Sequence, residues 1–245
     1  MTEETETTVG VADEDGPIEV EAPEGLDAEA VERRSAALAQ VRKFGDPVLR
    51  SAASPVTEFD QALSEEAERM VALMRDGMGV GLAATQLGIL RRILVFQAGA
   101  DAVPTVLVNP EIQWSSEEDL AGAEEGCLSL PGVVVEVERP LYVRVSGVDQ
   151  IGEGLLIEAS GLEARVLQHE IDHLDGVLMI DRTIREHRRG ALRALREGGT
   201  YAPPRDDEPE NGGDPVLIRG GSADARGLRK EPPVSSDEEP PVSRN

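Results

Sequence analysis

Two histidines at helical spacing give the sequence its clearest chemical signal. His169 and His173 stand four residues apart in the run Gln168-His169-Glu170-Ile171-Asp172-His173. Residues four apart lie on the same face of a helix, so two imidazoles can point at one ion. Glu170 follows the first histidine, where its carboxylate can take a proton from water near that ion. The pattern therefore predicts a metal site with a built-in general base, the alternative being a chance match on a polar helix face.

A third protein ligand is expected, because a catalytic metal normally keeps three of them and one open position. The remaining histidine, His187, lies in an arginine-rich segment and is expected at the surface. The only cysteine, Cys127, follows Gly126 and precedes a turn at Pro131 and Gly132. A thiolate is a strong ligand for a transition metal. The alternative interpretation, a small buried hydrophobic residue, is the more common one for an arbitrary cysteine.

A glycine-rich segment, 79–86, is the third candidate. Its simplest interpretation is a tight loop that enters a short helical turn. Gly79 and Gly81 allow the main chain to approach a ligand closely. Gln86 could direct a side-chain amide N–H at a reacting oxygen.

The elements that must position these residues follow from hydrophobic periodicity. Apolar residues at helical spacing predict helices over 59–78, 162–173 and 183–197. Alternating and β-branched runs predict strands at 92–97, 105–112, 133–138, 141–148, 155–160 and 177–180. This order predicts an α+β fold, with a mainly antiparallel sheet packed around a central helix that carries the two histidines.

The domain organisation is predicted from shifts in composition. Residues 1–37 form an acidic extension that is expected to be largely disordered, although 28–40 could form a fraying helix. Residues 38–197 hold nearly all of the organised hydrophobic pattern and are the predicted catalytic domain. Residues 198–245 form a Gly/Pro-rich tail that is also expected to be disordered.

Bulk properties exclude several classes of protein. The net charge of −24 argues against a free-standing nucleic-acid binder, so no DNA partner is expected. A single cysteine rules out an intramolecular disulfide and favours a reducing compartment. We find neither a secretory signal nor an apolar run of membrane-spanning length, so no membrane partner is expected.

Three motifs in order make the sequence resemble the peptide deformylase family. They are G-x-G-L-A-A-x-Q at 79–86, E-G-C-L-S at 125–129 and Q-H-E-x-D-H at 168–173. The resemblance covers about residues 40–185, and no motif position is broken. It implies a hydrolase that removes the formyl group from N-formyl-methionyl nascent peptides and releases formate. This activity implies a bacterial or organellar translation system, and since we find no basic, acid-poor transit peptide, a bacterial cytoplasm is the predicted location.

The resemblance also implies a site. One divalent ion, commonly Fe²⁺ although Zn²⁺, Ni²⁺ or Co²⁺ also suit the ligands, would be held by Cys127, His169 and His173. Glu170 would move the proton of the attacking water to the leaving amine. The oxyanion would be bound by the Gln86 side chain and the Leu128 backbone N–H.

Family members bind the peptide extended, and this analogy assigns Val80, Gly81 and Gly126 to peptide contacts. The methionine pocket would be lined by Val80, Leu162 and Val166, although such helix residues are more often plain core. Asp172 is left out of the catalytic set, because a supporting hydrogen bond and a solvated face are equally compatible with its position.

Two other functions remain open at this point. The histidine motif alone also suits a zincin-like endopeptidase, which would be indifferent to the cysteine. A non-catalytic metal-binding or ribosome-docking protein is the third candidate. The arginines of 181–196 form a basic island that could contact the ribosome surface, the alternative being a solvated helix face.

Overall fold

The computed structural model of the protein describes residues 26–99 and 102–204. Its helices are α1 (Ala28–Leu38), α2 (Gln61–Asp76), α3 (Gly161–Leu174), α4 (Met179–Arg182) and α5 (Arg185–Glu197), with 3-10 turns at Pro47–Arg50 and Ala84–Leu87. Its strands are β1 (Gly81–Ala83), β2 (Ile93–Phe96), β3 (Thr105–Ser115), β4 (Leu120–Cys127), β5 (Leu130–Pro140), β6 (Tyr142–Val148) and β7 (Gly154–Ser160).

The larger sheet has five antiparallel strands in the order β1-β2-β3-β6-β7. Strand β2 is buried on both faces. Ile93 and Val95 pack in the cluster that contains α2, whereas Leu94 and Phe96 pack in the cluster that contains α3. Because successive side chains of a strand point to opposite faces, the sheet lies between α2 and α3.

Helix α3 is the central element, and nine of its residues are buried. It contacts the larger sheet through β1, β2, β6 and β7 and the hairpin through β5. The helix begins after Ser160 and ends near Gly176, whose φ is +74°. A Cβ at Gly176 would lie 2.7 Å from the Arg50 backbone, so only glycine fits there. The predicted α+β fold around a central helix is confirmed.

A second, two-stranded sheet is the hairpin β4–β5. Val133, Val135 and Val137 alternate along β5 and point into a third hydrophobic cluster. Helix α5 packs on them through the small residues Ala191 and Ala194. Small side chains let the helix axis approach the strand closely, which fixes the hairpin against the C-terminal helices.

The prediction of a strand over 177–180 is wrong. Leu178 lies in extended backbone, and Met179–Arg182 is a short helix. The Asp181 carboxylate accepts the Leu178 N–H at 2.9 Å, and this cap bends the chain into the helical turn. A short, fully buried apolar run has no periodicity that separates a strand from a helix.

Strands β1 and β4 are absent from the predicted set. The segment 79–86, expected to be a loop entering a helical turn, forms β1 followed by the 3-10 turn at Ala84–Leu87. Strand β4 reads LAGAEEGC, which is poor in the β-branched and aromatic residues that mark strands. Backbone pairing with β5 therefore stabilises β4 as a strand, although its own residues have low strand propensity.

Both ends of the described chain are anchored. Helix α1 confirms the helix expected at 28–40, and its Ala37 is buried in the cluster with α2. Tyr201, which the sequence assigns to the C-terminal tail, donates its N–H to the Gly132 carbonyl at 2.9 Å and accepts from Val134 N at 2.8 Å. His187 is half-buried, with its ring 6.4 Å from that of Tyr201.

Disorder is predicted for 1–37 and 198–245, and of these stretches 1–25 and 205–245 lie outside the residues that the structure describes. Among the described helices, none has the length and apolar character that a membrane crossing requires.

Candidate metal centre

Cys127, His169 and His173 meet at one point in the fold. Their ligand atoms all lie within 4.8 Å of one another, and the Cys127 Sγ is 3.2 Å from the His173 Nε2. The two imidazole rings are 4.9 Å apart at an interplanar angle of 75°. The cysteine ends β4, while the histidines lie one turn apart on α3. The structure thus brings a thiol from the hairpin to two imidazoles of the central helix.

Glu125 fixes the orientation of His169. Its Oε2 lies 2.9 Å from the His169 Nδ1, which leaves the other ring nitrogen as the ligand atom of the cluster. Burial raises the pKa of Glu125, but hydrogen bonds from His169 and Arg139 outweigh it and lower that pKa to about 2. Glu125 is therefore a carboxylate at neutral pH, and the His169 Nδ1 carries the proton that it accepts.

A buried ion network extends from Glu125. Arg139 donates to both Glu125 oxygens, at 2.6 and 3.0 Å, and to Asp172 Oδ2 at 2.9 Å. Arg182 donates to Asp172 Oδ1 at 2.6 Å, and Arg165 donates to Glu125 Oε1 at 2.7 Å. Asp172 is thus buried and ion-paired, which excludes the solvated face that its sequence position left open.

Glu170 is buried next to the cluster, and its Oε2 has no hydrogen-bond partner among the described residues. Burial is the main cause of the raised pKa of its carboxyl group, outweighing the neighbouring histidines, which lower it. A Cβ built on Gly81 would lie 2.4 Å from the Glu170 Oε1. The Glu170 carboxylate therefore occupies the space that a side chain at position 81 would need.

Gln86 is held with its amide next to the cysteine. Its Oε1 accepts the Ala83 N–H at 2.8 Å, which directs the Nε2 toward the Cys127 Sγ at 3.5 Å and the Ser129 Oγ at 3.3 Å. The Leu128 carbonyl accepts from the Lys43 Nζ at 3.0 Å. The contacts of the Gln86 side-chain amide with Ala83 and Ser129 hold its N–H₂ group in a fixed position near the cluster.

The residues predicted to bind peptide differ in exposure. Val80 and Leu162 are exposed, at 47 % and 55 %, whereas Val166 is buried. Gly81 lies in β1 and Gly126 in β4, and each strand is paired on one edge only within the described chain. Gly126 is exposed, and a Cβ there would meet nothing closer than the Val133 carbonyl at 4.0 Å.

The donor set fits a divalent transition metal. Burial alone would raise the pKa of the Cys127 thiol, but His173 and His169 beside it hold that pKa well below the ordinary value. A thiolate with two imidazoles is a ligand set that such ions favour. The Glu170 Oε2 beside them, which has no hydrogen-bond partner within the described ranges, adds a buried polar atom that a water or a substrate can hydrogen-bond.

Several supporting residues were missed by sequence reasoning. Glu125 belongs to a recognised motif, but its contact with His169 spans 44 positions and has no local signal. The same holds for Arg139 and Arg165, which look like ordinary surface arginines in sequence. Ser129, fully buried beside Gln86, could have been suspected only from its place in the cysteine motif.

An α+β fold that brings this ligand set together beside a carboxylate oxygen with no partner among the described residues is typical of a metal-dependent hydrolase. Residues 38–189 match the sequence model of the polypeptide deformylases. A peptide deformylase of Acidothermus cellulolyticus is 45 % identical over 161 residues, covering 66 % of this chain and 87 % of the relative. That of Thermotoga neapolitana is 51 % identical over 143 residues, covering 58 % and 85 %.

Solved structures of peptide deformylases are also similar to this chain. The crystal structure of a peptide deformylase from Synechococcus elongatus in complex with actinonin has a TM-score of 0.61 and 40 % identity, covering 65 % of this chain and 88 % of that one. The chain belongs to the polypeptide deformylase family. It removes the N-formyl group from newly synthesised peptides, which decides against the endopeptidase and the non-catalytic alternatives.

Proposed function

We propose that Cys127, His169 and His173 are the protein ligands of the catalytic ion and that this ion is Fe²⁺. The convergence of their ligand atoms within 4.8 Å is the observation on which the proposal depends. When bound, a divalent ion polarises the formyl carbonyl and makes a nearby water more acidic. Zn²⁺, Ni²⁺ and Co²⁺ suit the same donors, so metal analysis of protein purified without oxygen tests the choice of iron.

Glu170 is proposed as the general base and acid. Its Oε2, which has no partner among the described residues, takes a proton from the attacking water as the water oxygen bonds to the formyl carbon. When the carbon–nitrogen bond breaks, the same oxygen passes the proton to the leaving amine nitrogen. Formate and a peptide with a free amino terminus result, and Glu170 returns to its starting state.

Gln86 and Leu128 are proposed to stabilise the negative oxygen that develops on the formyl group. The Gln86 Nε2 is fixed near the cysteine by the contacts of its amide with Ala83 and Ser129. The Leu128 N–H follows the cysteine directly in the chain. Donors that are already oriented lower the barrier because they need no reorganisation during the reaction.

The peptide is proposed to bind as an extended strand between β1 and β4, in contact with Val80, Gly81 and Gly126. Both strands have an edge that is unpaired within the described chain, and an extended peptide satisfies such an edge by main-chain hydrogen bonds. The methionine side chain is assigned to a pocket formed by Val80, Leu162 and Val166. The exposure of Val80 and Leu162 supports this assignment, since both have surface left to bury.

The direct test is formate release from formyl-Met-Ala-Ser by the Fe²⁺-loaded protein under anaerobic conditions. Glu170→Ala and Cys127→Ser should each abolish release, the first by removing the base and the second by removing a ligand. Metal content separates the two, because only Cys127→Ser should also lose the ion. Release by Glu170→Ala at the native rate would overturn the assignment of the base.

We also propose a bacterial cytoplasm, where formylated nascent peptides arise, and no DNA partner for a chain of net charge −24. The curated relatives named above are bacterial. The ribosome surface is proposed as a partner of α5. Arg185, Arg189, Arg193 and Arg196 are exposed and make no ion pair among the described residues. Unpaired arginines on one helix suit a phosphate backbone.

Ribosome co-sedimentation tests the role of α5. Reversing the charge of Arg189, Arg193 and Arg196 should reduce the co-sedimenting fraction and make the residual binding less sensitive to salt. Charge reversal of Arg33, Arg69 and Arg144, which lie elsewhere and have ion-pair or hydrogen-bond partners, is the control. Unchanged co-sedimentation of the α5 variant would remove this partner from the proposal.

A further inference from the structure

Arg165 joins the two elements that carry the metal ligands. It lies on α3, one turn before His169, and its side chain is only 12 % exposed. Its Nη1 donates to the Glu125 Oε1 at 2.7 Å and to the Val137 carbonyl at 2.8 Å, and its Nη2 donates to the Ala121 carbonyl at 2.5 Å. One guanidinium thus binds both strands of the β4–β5 hairpin.

The ligand cluster depends on the distance between hairpin and helix. Cys127 comes from β4 of the two-stranded hairpin, whereas both histidines come from the helix α3. The hairpin is only two-stranded, and such a pair is weakly stable without support from packing. A small shift of the hairpin along α3 would carry the Sγ away from both imidazoles.

We propose that Arg165 is a positioning residue that clamps the β4–β5 hairpin onto α3 and so presets the Cys-His-His cluster for its ion. The inference rests on the ligand assignment under Proposed function. Arg165 touches none of the three ligands in the described contacts and acts through Glu125 and two main-chain carbonyls. Its effect should therefore show in metal affinity before it shows in the chemistry.

The geometry explains why this residue is an arginine. A guanidinium presents several N–H donors in a planar fork, and here two of its nitrogens reach three acceptors. A lysine at this position keeps the charge next to Glu125 but has a single nitrogen, so it cannot bridge both strands in the same way. Arg139 stays bonded to both Glu125 oxygens in either case, so the carboxylate keeps an ion-pair partner.

The experiment compares Arg165→Lys and Arg165→Leu with the native full chain. Co²⁺ affinity is measured by competition with a chelator, and the stability of the metal-free protein is measured by urea unfolding. Supporting contacts of metal ligands are typically worth about 10–100-fold in affinity, so Arg165→Leu should weaken Co²⁺ binding by that factor and Arg165→Lys by less. Co²⁺ affinity is measured under conditions in which the unfolding curve shows each variant to be folded.

Arg144 provides a matched control. Like that of Arg165, its guanidinium is bonded to a glutamate, at 2.9 and 2.6 Å to the Glu158 Oε1, but the pair lies on the exposed face of β6 and β7. Arg144→Lys and Arg144→Leu should leave Co²⁺ affinity unchanged.

Each outcome has a definite meaning. Loss of affinity in the Arg165 variants, with the Arg144 variants unaffected, supports the clamp. Native affinity in folded Arg165→Lys and Arg165→Leu, whatever their stability, overturns it and leaves the ligand assignment intact. If Arg165→Leu does not fold, native affinity in Arg165→Lys is sufficient to overturn the clamp. Native affinity in Cys127→Ser would instead refute the ligand assignment itself.

Discussion

At the scale of single residues, two glycines of the site are informative because of the space that they leave for other groups. Gly81 and Gly126 are both predicted to contact peptide, yet their surroundings differ. The Cβ position of Gly81 is occupied by the Glu170 carboxylate, whereas that of Gly126 is open. Gly81 is therefore required to leave room for the proposed base, whereas only the proposed peptide contact would require a glycine at position 126.

Gly81→Ala should lower kcat with little loss of stability. The added methyl would lie 2.4 Å from the Glu170 Oε1, and the flexible glutamate can move aside, which displaces the base. A misplacement near 1 Å can cost roughly 100-fold in rate. Formate release at saturating substrate and urea unfolding measure the two quantities. Gly154→Ala, in open space on β7, is the control, and a native kcat in Gly81→Ala would contradict the argument.

Gln86→Ala should slow the reaction by two to three orders of magnitude, about 3 kcal/mol in the barrier, if its amide stabilises the oxyanion. The apparent KM should change little, because this contact strengthens only as negative charge develops. Steady-state formate release gives both constants. Gln113→Ala, which removes an exposed amide bonded to Ser146, serves as the comparison. A rise in KM at native kcat would assign Gln86 to substrate binding instead.

At the scale of elements, short segments are held by polar contacts rather than by their own propensity. Helix α4 has only four residues, too few to be stable alone. Asp181 fixes it by accepting hydrogen bonds from Leu178 N and from Arg50 before α2, and by an ion pair with Arg188 on α5. One carboxylate thus joins three parts of the chain around the end of α3.

Asp181→Asn should destabilise the protein by about 1 kcal/mol at neutral pH, the upper range for a partly exposed ion pair. Burial raises the pKa of Asp181, but Arg50 and the Leu178 N–H outweigh it and lower that pKa below 3.8. The stabilisation is therefore complete well above pH 3.8 and is lost as the pH falls through the folded-state pKa.

Urea unfolding across the acid range measures this linkage. The difference in stability between the native chain and Asp181→Asn should shrink as the pH falls. Glu32→Gln, an exposed residue of α1 with no ion pair among the described residues, should show no such trend. A difference that stays constant into strong acid would show that the asparagine acts through packing and not through charge.

At the scale of the whole molecule, the predicted catalytic domain, 38–197, leaves out contacts at both ends. Helix α1 buries Ala37 against α2, and Tyr201 pairs with β5 at Gly132 and Val134. A Cβ on Gly190 would lie 2.1 Å from the Tyr201 ring, so that ring packs directly on the α5 backbone. Tyr201 therefore holds the beginning of β5 against helix α5.

A chain that ends at Pro204 should be more stable than one that ends at Glu197 by roughly 2 kcal/mol, from two main-chain hydrogen bonds and the packed ring. Thermal unfolding of both chains measures the difference. Tyr201→Ala in the longer chain should lose the part due to the ring and keep the part due to the backbone. Equal stability of the two chains would restore the domain boundary predicted at residue 197.

The sequence by itself determined the elements with strong local periodicity and the chemistry of the motifs. Helices α2, α3 and α5 and most strands of the larger sheet were predicted within a few residues, because side-chain spacing reports directly on which face is buried. The pairing of His169 with His173 was predicted for the same reason, since helical spacing alone brings them together. The resemblance of three motifs to one family led to the prediction that Cys127 is the third ligand.

Only the tertiary structure decided what depends on contacts between distant positions. Cys127 and His173 are 46 positions apart, and Glu125 and His169 are 44 apart, so no local pattern encodes their approach. Strand β4 and the turn into α4 owe their conformation to partners elsewhere in the chain, which outweigh weak or ambiguous propensities. In the same way, ion pairs with Arg139 and Arg182 hold Asp172 in the interior, which its position in the sequence left open.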